Sequence, residues 1–267
     1  MSGFEQSWLA LREPADRQAR DCGLLDRVAA YFVGRDRLTV TDLGCGTGST
    51  LRVLSPRLSG RQHWRLVDDD PALLAAAVAC AEGAGALAVS PLTADLRKEV
   101  ESVIALQADL VTASAFLDLV SASWLDRFVG AVARHRRPVY AALSYDGRTR
   151  CDPPDPLDAA VLAAFNAHQL GDKGLGGALG PAAAEAARQA FGAVGFEVTC
   201  AEADWQLSAP ESALQSQLLL GWYRAVAETG LIERRSLDGW LVRRQAAIAN
   251  GASRLRIGHQ DLWAVPR

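Results

Sequence analysis

Leu38-Thr39-Val40-Thr41-Asp42-Leu43-Gly44-Cys45-Gly46-Thr47-Gly48-Ser49-Thr50-Leu51 decides how the rest of this chain is read. Five of its first six residues are apolar or β-branched, the composition of a strand buried in a sheet. An acidic residue closes that strand, and three glycines at alternate positions follow. Glycine adopts positive φ without strain and lets a ligand approach the backbone closely. Ser49 then opens a helix, whose first N–H groups have no partner within it. In an open parallel sheet, ligands settle outside the carboxyl ends of the strands, and this turn lies there. A dinucleotide fingerprint would read G-x-G-x-x-G. Counting from Gly44 the sixth position is Ser49, and from Gly46 it is Leu51, so both registers fail.

Working outward, residues 64–67 read as a second strand, with Asp68 at its end. An acid at that place can accept both hydroxyls of a ribose. Asp70-Pro71 caps and opens a helix reaching to about Gly83. Further strands are expected at 86–92, 109–113, 138–144 and 196–203, with a closing strand at 254–265. Helices are expected at 121–134, 157–168, from Pro181, at 211–229 and at 235–250. The alternation of strand and helix implies a parallel sheet covered on both faces, an α/β class. Residues 4–33 read as helix broken near Pro14.

The run Asp42-Leu-Gly44-Cys45-Gly46-Thr-Gly48 resembles motif I of the class I methyltransferases that use S-adenosylmethionine. Val67-Asp68-Asp69-Asp70-Pro71 is similar to that family's acidic second motif, and Ala94-Asp95-Leu96 to its third. Asp109-Leu-Val-Thr112-Ala-Ser114-Ala115-Phe116-Leu-Asp118-Leu is similar to the fourth. Motif resemblance covers about residues 35–145, and element order extends it to about 205. It implies a Rossmann-like doubly wound sheet of seven mostly parallel strands in the order 3-2-1-4-5-7-6, the last strand antiparallel. It also implies S-adenosylmethionine as cofactor, held by Asp42, Gly44, Cys45, Gly46, Gly48, Asp68, Asp69, Asp95, Leu96, Ser114 and Ala115. Asp68 would grip the ribose. Asp95 and the N–H of the residue after it would meet the adenine.

The whole chain, 1–267, is expected to form one domain, with 1–34 as a helical cap and 148–180 and 206–250 as insertions or lids. The stretch 146–180 holds Pro153, Pro154 and Pro156 and, from Gly171 to Gly180, five glycines, a composition suited to a hinged loop. Within it His168 is the leading candidate for a catalytic base, with Tyr145 at the end of strand five as a second reacting group. His63, His135 and His259 read as surface or strand-end residues. Arg12 or Arg17 is a candidate to hold a carboxylate. Trp205, Trp222 and Tyr223 read either as core or as the floor of an aromatic pocket.

The net charge of −3 carries no basic field for nucleic acid, so a small-molecule substrate is expected. Five scattered cysteines without a CxxC pair suggest neither a metal site nor disulfides, and the amino terminus lacks a signal pattern. No apolar window of about 18 residues predicts a membrane span. The chain therefore reads as cytoplasmic, with its oligomeric state open. The expected activity is methyl transfer to oxygen or nitrogen of a metabolite. Two alternatives stand beside it: a S-adenosylmethionine-binding regulator without catalysis, and an NAD(P)-dependent oxidoreductase. The oxidoreductase is opposed by the failed fingerprint and by the lack of a Tyr-x-x-x-Lys.

Overall fold

Apolar residues that alternate along every strand sort the core into two layers, one on each side of a single sheet. The computed structural model describes residues 6–81 and 87–267. Two helices lead, α1 (Gln6–Ala19) and α2 (Cys22–Tyr31). Five parallel strands follow: β1 (Arg37–Leu43), β2 (Arg61–Asp68), β3 (Leu87–Thr93), β4 (Leu110–Ser114) and β5 (Val139–Asp152). They are joined through α3 (Ser49–Leu54), α4 (Pro71–Ala79), α5 (Leu96–Ala105) and α6 (Ala122–His135). Then come α7 (Asp158–Gln169), α8 (Ala183–Ala193), β6 (Phe196–Glu202), β7 (Trp205–Leu207), α9 (Ser212–Thr229), α10 (Arg234–Ala249) and β8 (Arg254–Pro266).

The sheet order is β3-β2-β1-β4-β5-β8-β6, with β8 antiparallel to both its neighbours. This is the expected Rossmann-like topology with one strand more, since β7 pairs with β8 outside the main path. Leu43, Val111, Ala113 and Val139 face α5, α6 and α8. Val40, Leu66, Leu110 and Tyr140 face α2, α3 and α4. A third cluster packs α7, α9 and α10 over the far end of β5 and β8, through Val161, Trp222, Leu237 and Trp240.

Several boundaries differ from the sequence reading for identifiable reasons. Pro14 sits inside α1, and the chain breaks instead at Asp21, whose side chain accepts the Leu24 N–H at 2.6 Å. A good N-cap outcompetes one missing hydrogen bond as the place to restart a helix. Strand β5 does not stop at residue 144. It runs to Asp152 beside β8, so the first residues of the expected 148–180 insertion are ribbon. The expected helix to Gly83 ends at Ala79; Gly83 itself, like Ala86 at the head of the third strand, lies outside the described residues. Among the described residues no helix is long and apolar enough to cross a membrane.

Candidate functional site

At the carboxyl ends of β1, β2 and β4 the glycine turn borders a cleft. Gly44, Gly46 and Gly48 all have positive φ, at 58°, 53° and 84°. A Cβ added at Gly44 would meet the Phe116 ring at 2.7 Å, so only glycine lets the turn pass there. The cleft is lined by Gly44, Cys45, Gly46, Ser49, Asp68, Asp69, Asp95, Leu96, Ser114 and Ala115, roofed by Leu9 and Arg12 of α1. Most of the residues expected at the cofactor are thus brought together.

Asp68 is buried, and burial raises its pKa. Its Oδ2 accepts the Gly46 N–H at 2.9 Å and its Oδ1 the Asp70 N–H at 3.1 Å. Each carboxylate oxygen keeps a second lone pair, one for each hydroxyl of a cis-diol. The Ser49 hydroxyl, also on the cleft wall, is buried without a partner. Leu73, Leu96 and Phe116 supply apolar walls. A polar nucleoside flanked by apolar surface fits this donor and acceptor set.

Two expected residues stand behind the wall. Asp42 is 1% exposed, and its Oδ1 accepts the Thr112 hydroxyl at 2.6 Å. Loss of water pushes its pKa up to about 7, against the opposing pull of Thr112 and Arg20. Its place is under the turn, tying β1 to β4. Gly48 packs against Ala77. Asp95 lines the rim but is already engaged, capping α5 and forking onto Arg97 at 2.7 and 2.9 Å. That pairing holds its carboxyl down near 2.

A second cavity of about 730 Å³ opens beside the cleft, and Arg12, Ala115 and Leu119 line both. Its walls carry Trp8, Tyr145, Phe165, Trp205 and Trp222, with Asp118, Lys173 and His259 among them. Phe165 stacks on Trp222 at 4.7 Å, Tyr145 meets Phe165 and His259 edge-on, and Trp205 lies 5.0 Å from His259. Ala115 and Leu143, both on the walls, adopt positive φ without being glycine, a strain that tends to gather at working sites.

The residues expected to react divide. Tyr145 lines this chamber, but its hydroxyl donates to Asn166 at 2.8 Å and burial moves its pKa upward. His168 lines neither cavity. Its ring is held between Glu228 of α9 at 3.0 Å and Lys173 at 3.2 Å. Arg17 is exposed and pairs with Glu13, whereas Arg12 forks onto Asp16 and lies 4.9 Å over the Trp205 ring. Tyr223 bonds Asp238 instead of facing the chamber.

The sequence reading gave no functional role to His259 or to Asp118. His259 is 5% exposed, not a surface residue, and its Nδ1 lies 3.1 Å from the Ile257 carbonyl. That contact assigns the proton to Nδ1 and leaves Nε2 an acceptor. Burial, reinforced by the positive charge of Arg12, lowers its pKa from 6.5 to about 4. The folded state then binds this proton later than the unfolded chain does. Its contribution to stability is complete above about pH 6.5 and falls away as pH drops toward 4, by at most on the order of 3 kcal/mol. Urea unfolding at pH 7 and pH 4.5 should show His259→Gln losing part of the acid sensitivity of the parent. An identical acid loss in both proteins contradicts a buried neutral imidazole.

Residues 40–139 match the family described as Methyltransferase domain. No curated relative matches the chain. Among solved structures, a methyltransferase of Geobacter sulfurreducens, described as S-adenosylmethionine-dependent and in complex with S-adenosyl-L-homocysteine, is similar at TM-score 0.52 and 17% identity, with 100% of each chain covered. A putative methyltransferase of Bacillus halodurans gives 0.53 at 13% identity, covering 91% of this chain and 99% of that one. A cyclopropane synthase of Mycobacterium tuberculosis, MmaA2, gives 0.51 at 12% identity, covering 98% and 94%. At these identities the likeness is one of fold.

Proposed function

We propose that this chain, whose residues 40–139 match a methyltransferase-domain family, is an S-adenosylmethionine-dependent enzyme that transfers a methyl group to oxygen or nitrogen of a small molecule. One observation carries the choice of a small molecule: the cofactor cleft and the aromatic chamber share Arg12, Ala115 and Leu119 as common wall. A methyl carried at the end of the cleft therefore has one protein-walled space to enter. Its volume suits a drug-sized ligand.

We assign the roles as follows. Asp68 holds the ribose, with Gly44 and Gly46 giving the backbone room. Asp69, Leu96, Ser114 and Ala115 complete the cleft, and Asp42 braces the turn from behind. Asp95 meets the adenine only by sharing its oxygens with Arg97. When bound, the cofactor supplies an activated methyl on a sulfonium, so the protein's task is to orient the acceptor and keep water out. We assign the covering to α1 on one side and to α7 and α9, backed by α10, on the other. Arg244, 2% exposed, pairs with Asp158, and the Trp240 Nε1 donates to the same carboxylate at 2.9 Å. Those bonds hold the lid helices together as one body.

The test has two arms. Calorimetry should show saturable binding of S-adenosylmethionine and none of NAD. Incubation with a fractionated metabolite pool should yield products heavier by one methyl. Binding without any methylated product favours a regulator that has kept only the cofactor cleft.

A further inference from the structure

One acid on the chamber wall, held by its own backbone N–H and that of Tyr145, keeps a buried oxygen without a partner. Asp118 lies in the short turn after β4, and its neighbour Leu119 lines both cavities. Asp118 itself lines the chamber, one residue along the chain from that shared wall. The residue is half-buried, and its Oδ1 is buried with no hydrogen-bond partner. A buried carboxylate oxygen without a donor is costly, and this one lines a cavity.

The other charged groups here are engaged, while the Gln169 and Gln217 amides and the His259 Nε2 stay open to a ligand. Arg12 of α1 is bound to Asp16. Tyr145 of β5 donates to Asn166, and the Asp172 Oδ1 accepts the N–H groups of Gly174 and Gly176. Lys173 contacts His168, and on β8 the His259 Nδ1 is engaged by Ile257. Asp118 is left as an acceptor awaiting a donor that arrives with the ligand.

We propose that Asp118 is the catalytic base of this site, and that the substrate is an aromatic ring bearing a hydroxyl group that becomes methylated on oxygen. This rests on the methyl-transfer reading above. The ring is the part the walls select: Trp8, Phe165, Trp205 and Trp222 offer flat apolar faces. The choice of hydroxyl over amine follows from the base: a hydroxyl has to lose its proton as it attacks, whereas a free amine can attack with its lone pair and needs only positioning. Burial also raises the Asp118 carboxyl to about 6, with Arg12 pulling the other way, which makes it ionised at neutral pH yet a better base than an exposed carboxylate.

The step balances without a further reactant. The hydroxyl proton passes to the Asp118 carboxylate, and an oxygen electron pair forms the new bond to the methyl carbon. The carbon–sulfur bond breaks with its electrons going to sulfur, which changes from sulfonium to neutral thioether. The proton on Asp118 then leaves to solvent.

The test uses the full chain saturated with S-adenosyl-L-homocysteine. Quenching of tryptophan fluorescence by 4-nitrophenol is compared with that by its near-isostere 4-nitroaniline. The phenol should bind at least tenfold more tightly. In turnover with S-adenosylmethionine and a panel of hydroxybenzenes and hydroxyindoles, Asp118→Asn should lower kcat at least a hundredfold. It should change KM less than threefold and abolish the acid limb near pH 6. Asp118→Ser, with a cavity open to water, should recover no more than a few per cent, and it takes over the test if the first variant fails to fold. Equal or tighter binding of the aniline overturns the substrate class, as does a panel with no methylated member. Undiminished turnover in Asp118→Asn overturns the base. Failure of S-adenosyl-L-homocysteine itself to bind strikes the underlying reading instead, so the two failures are told apart.

Discussion

Replacing Asp68 by alanine should weaken S-adenosylmethionine binding by at least a hundredfold while the protein stays folded. The carboxylate is buried in the cleft wall, and the N–H groups of Gly46 and Asp70 fix its two oxygens. It is thus oriented before any ligand arrives, and little entropy remains to be lost on binding. Each charge-assisted hydrogen bond to a ribose hydroxyl contributes about 1.5–3 kcal/mol. Losing two of them corresponds to about two to four orders of magnitude in Kd. The alanine also releases the Gly46 N–H, so the turn loosens as well. Asp69→Ala serves as the comparison: that residue lines the same cleft without these backbone bonds, and its effect should stay below tenfold. Titration calorimetry on both variants, with a thermal melt to confirm folding, checks this. Asp68→Ala binding within threefold of the parent removes the ribose assignment.

The difference between what was legible in the sequence and what was not follows from distance along the chain. The strands and helices could be read because each strand–turn–helix unit carries its own signals, and the family resemblance implied their order in the sheet. The glycine turn, Asp68 and Ser114 fall in motifs a few residues long, and the parallel sheet brings their ends to one edge. The chamber has no such local signature. Asp118, Tyr145, Phe165, Trp222 and His259 meet only because β5 and β8 extend past the sheet as a ribbon and α7 and α9 fold over it. His259 looked like an ordinary strand residue, since nothing near it in sequence reveals that Trp205 and Arg12 would enclose it. His168 misled for the opposite reason. Its neighbours Asn166, Gln169, Asp172 and Lys173 make a dense polar cluster, yet the helical turn sends its ring toward Glu228 while Gln169 and Lys173 line the chamber. The apolar periodicity around Trp222 was compatible with core and pocket alike, and the residue is both, 4% exposed and on the chamber wall.

Asp261→Leu is expected to carry the largest stability loss of any single change outside the two cavities, about 3–5 kcal/mol. Asp261 is 0% exposed in the middle of β8. Its Oδ1 accepts the Leu143 N–H at 2.8 Å, where β5 bulges away from its ladder and Leu143 takes positive φ. Its Oδ2 accepts the Asp21 N–H at 3.1 Å and the Tyr140 hydroxyl at 3.0 Å, joining the start of α2 to the sheet. Arg20, 2% exposed, bonds Ser114 at 2.8 Å, and the charge of Asp261 supports its own. Leucine has similar bulk, so the lost energy is not that of a cavity. It is that of a guanidinium left buried beside fewer negative charges and of two N–H groups and a hydroxyl left without acceptors. A variant that also removes the cation tests this account. Arg20→Met combined with Asp261→Leu should be less destabilised than the sum of the two single variants by at least about 1 kcal/mol, read from urea unfolding with constant m-values. Strict additivity would mean that the two charges do not sense each other, and that Asp261 acts on stability through the bulge and the α2 cap alone.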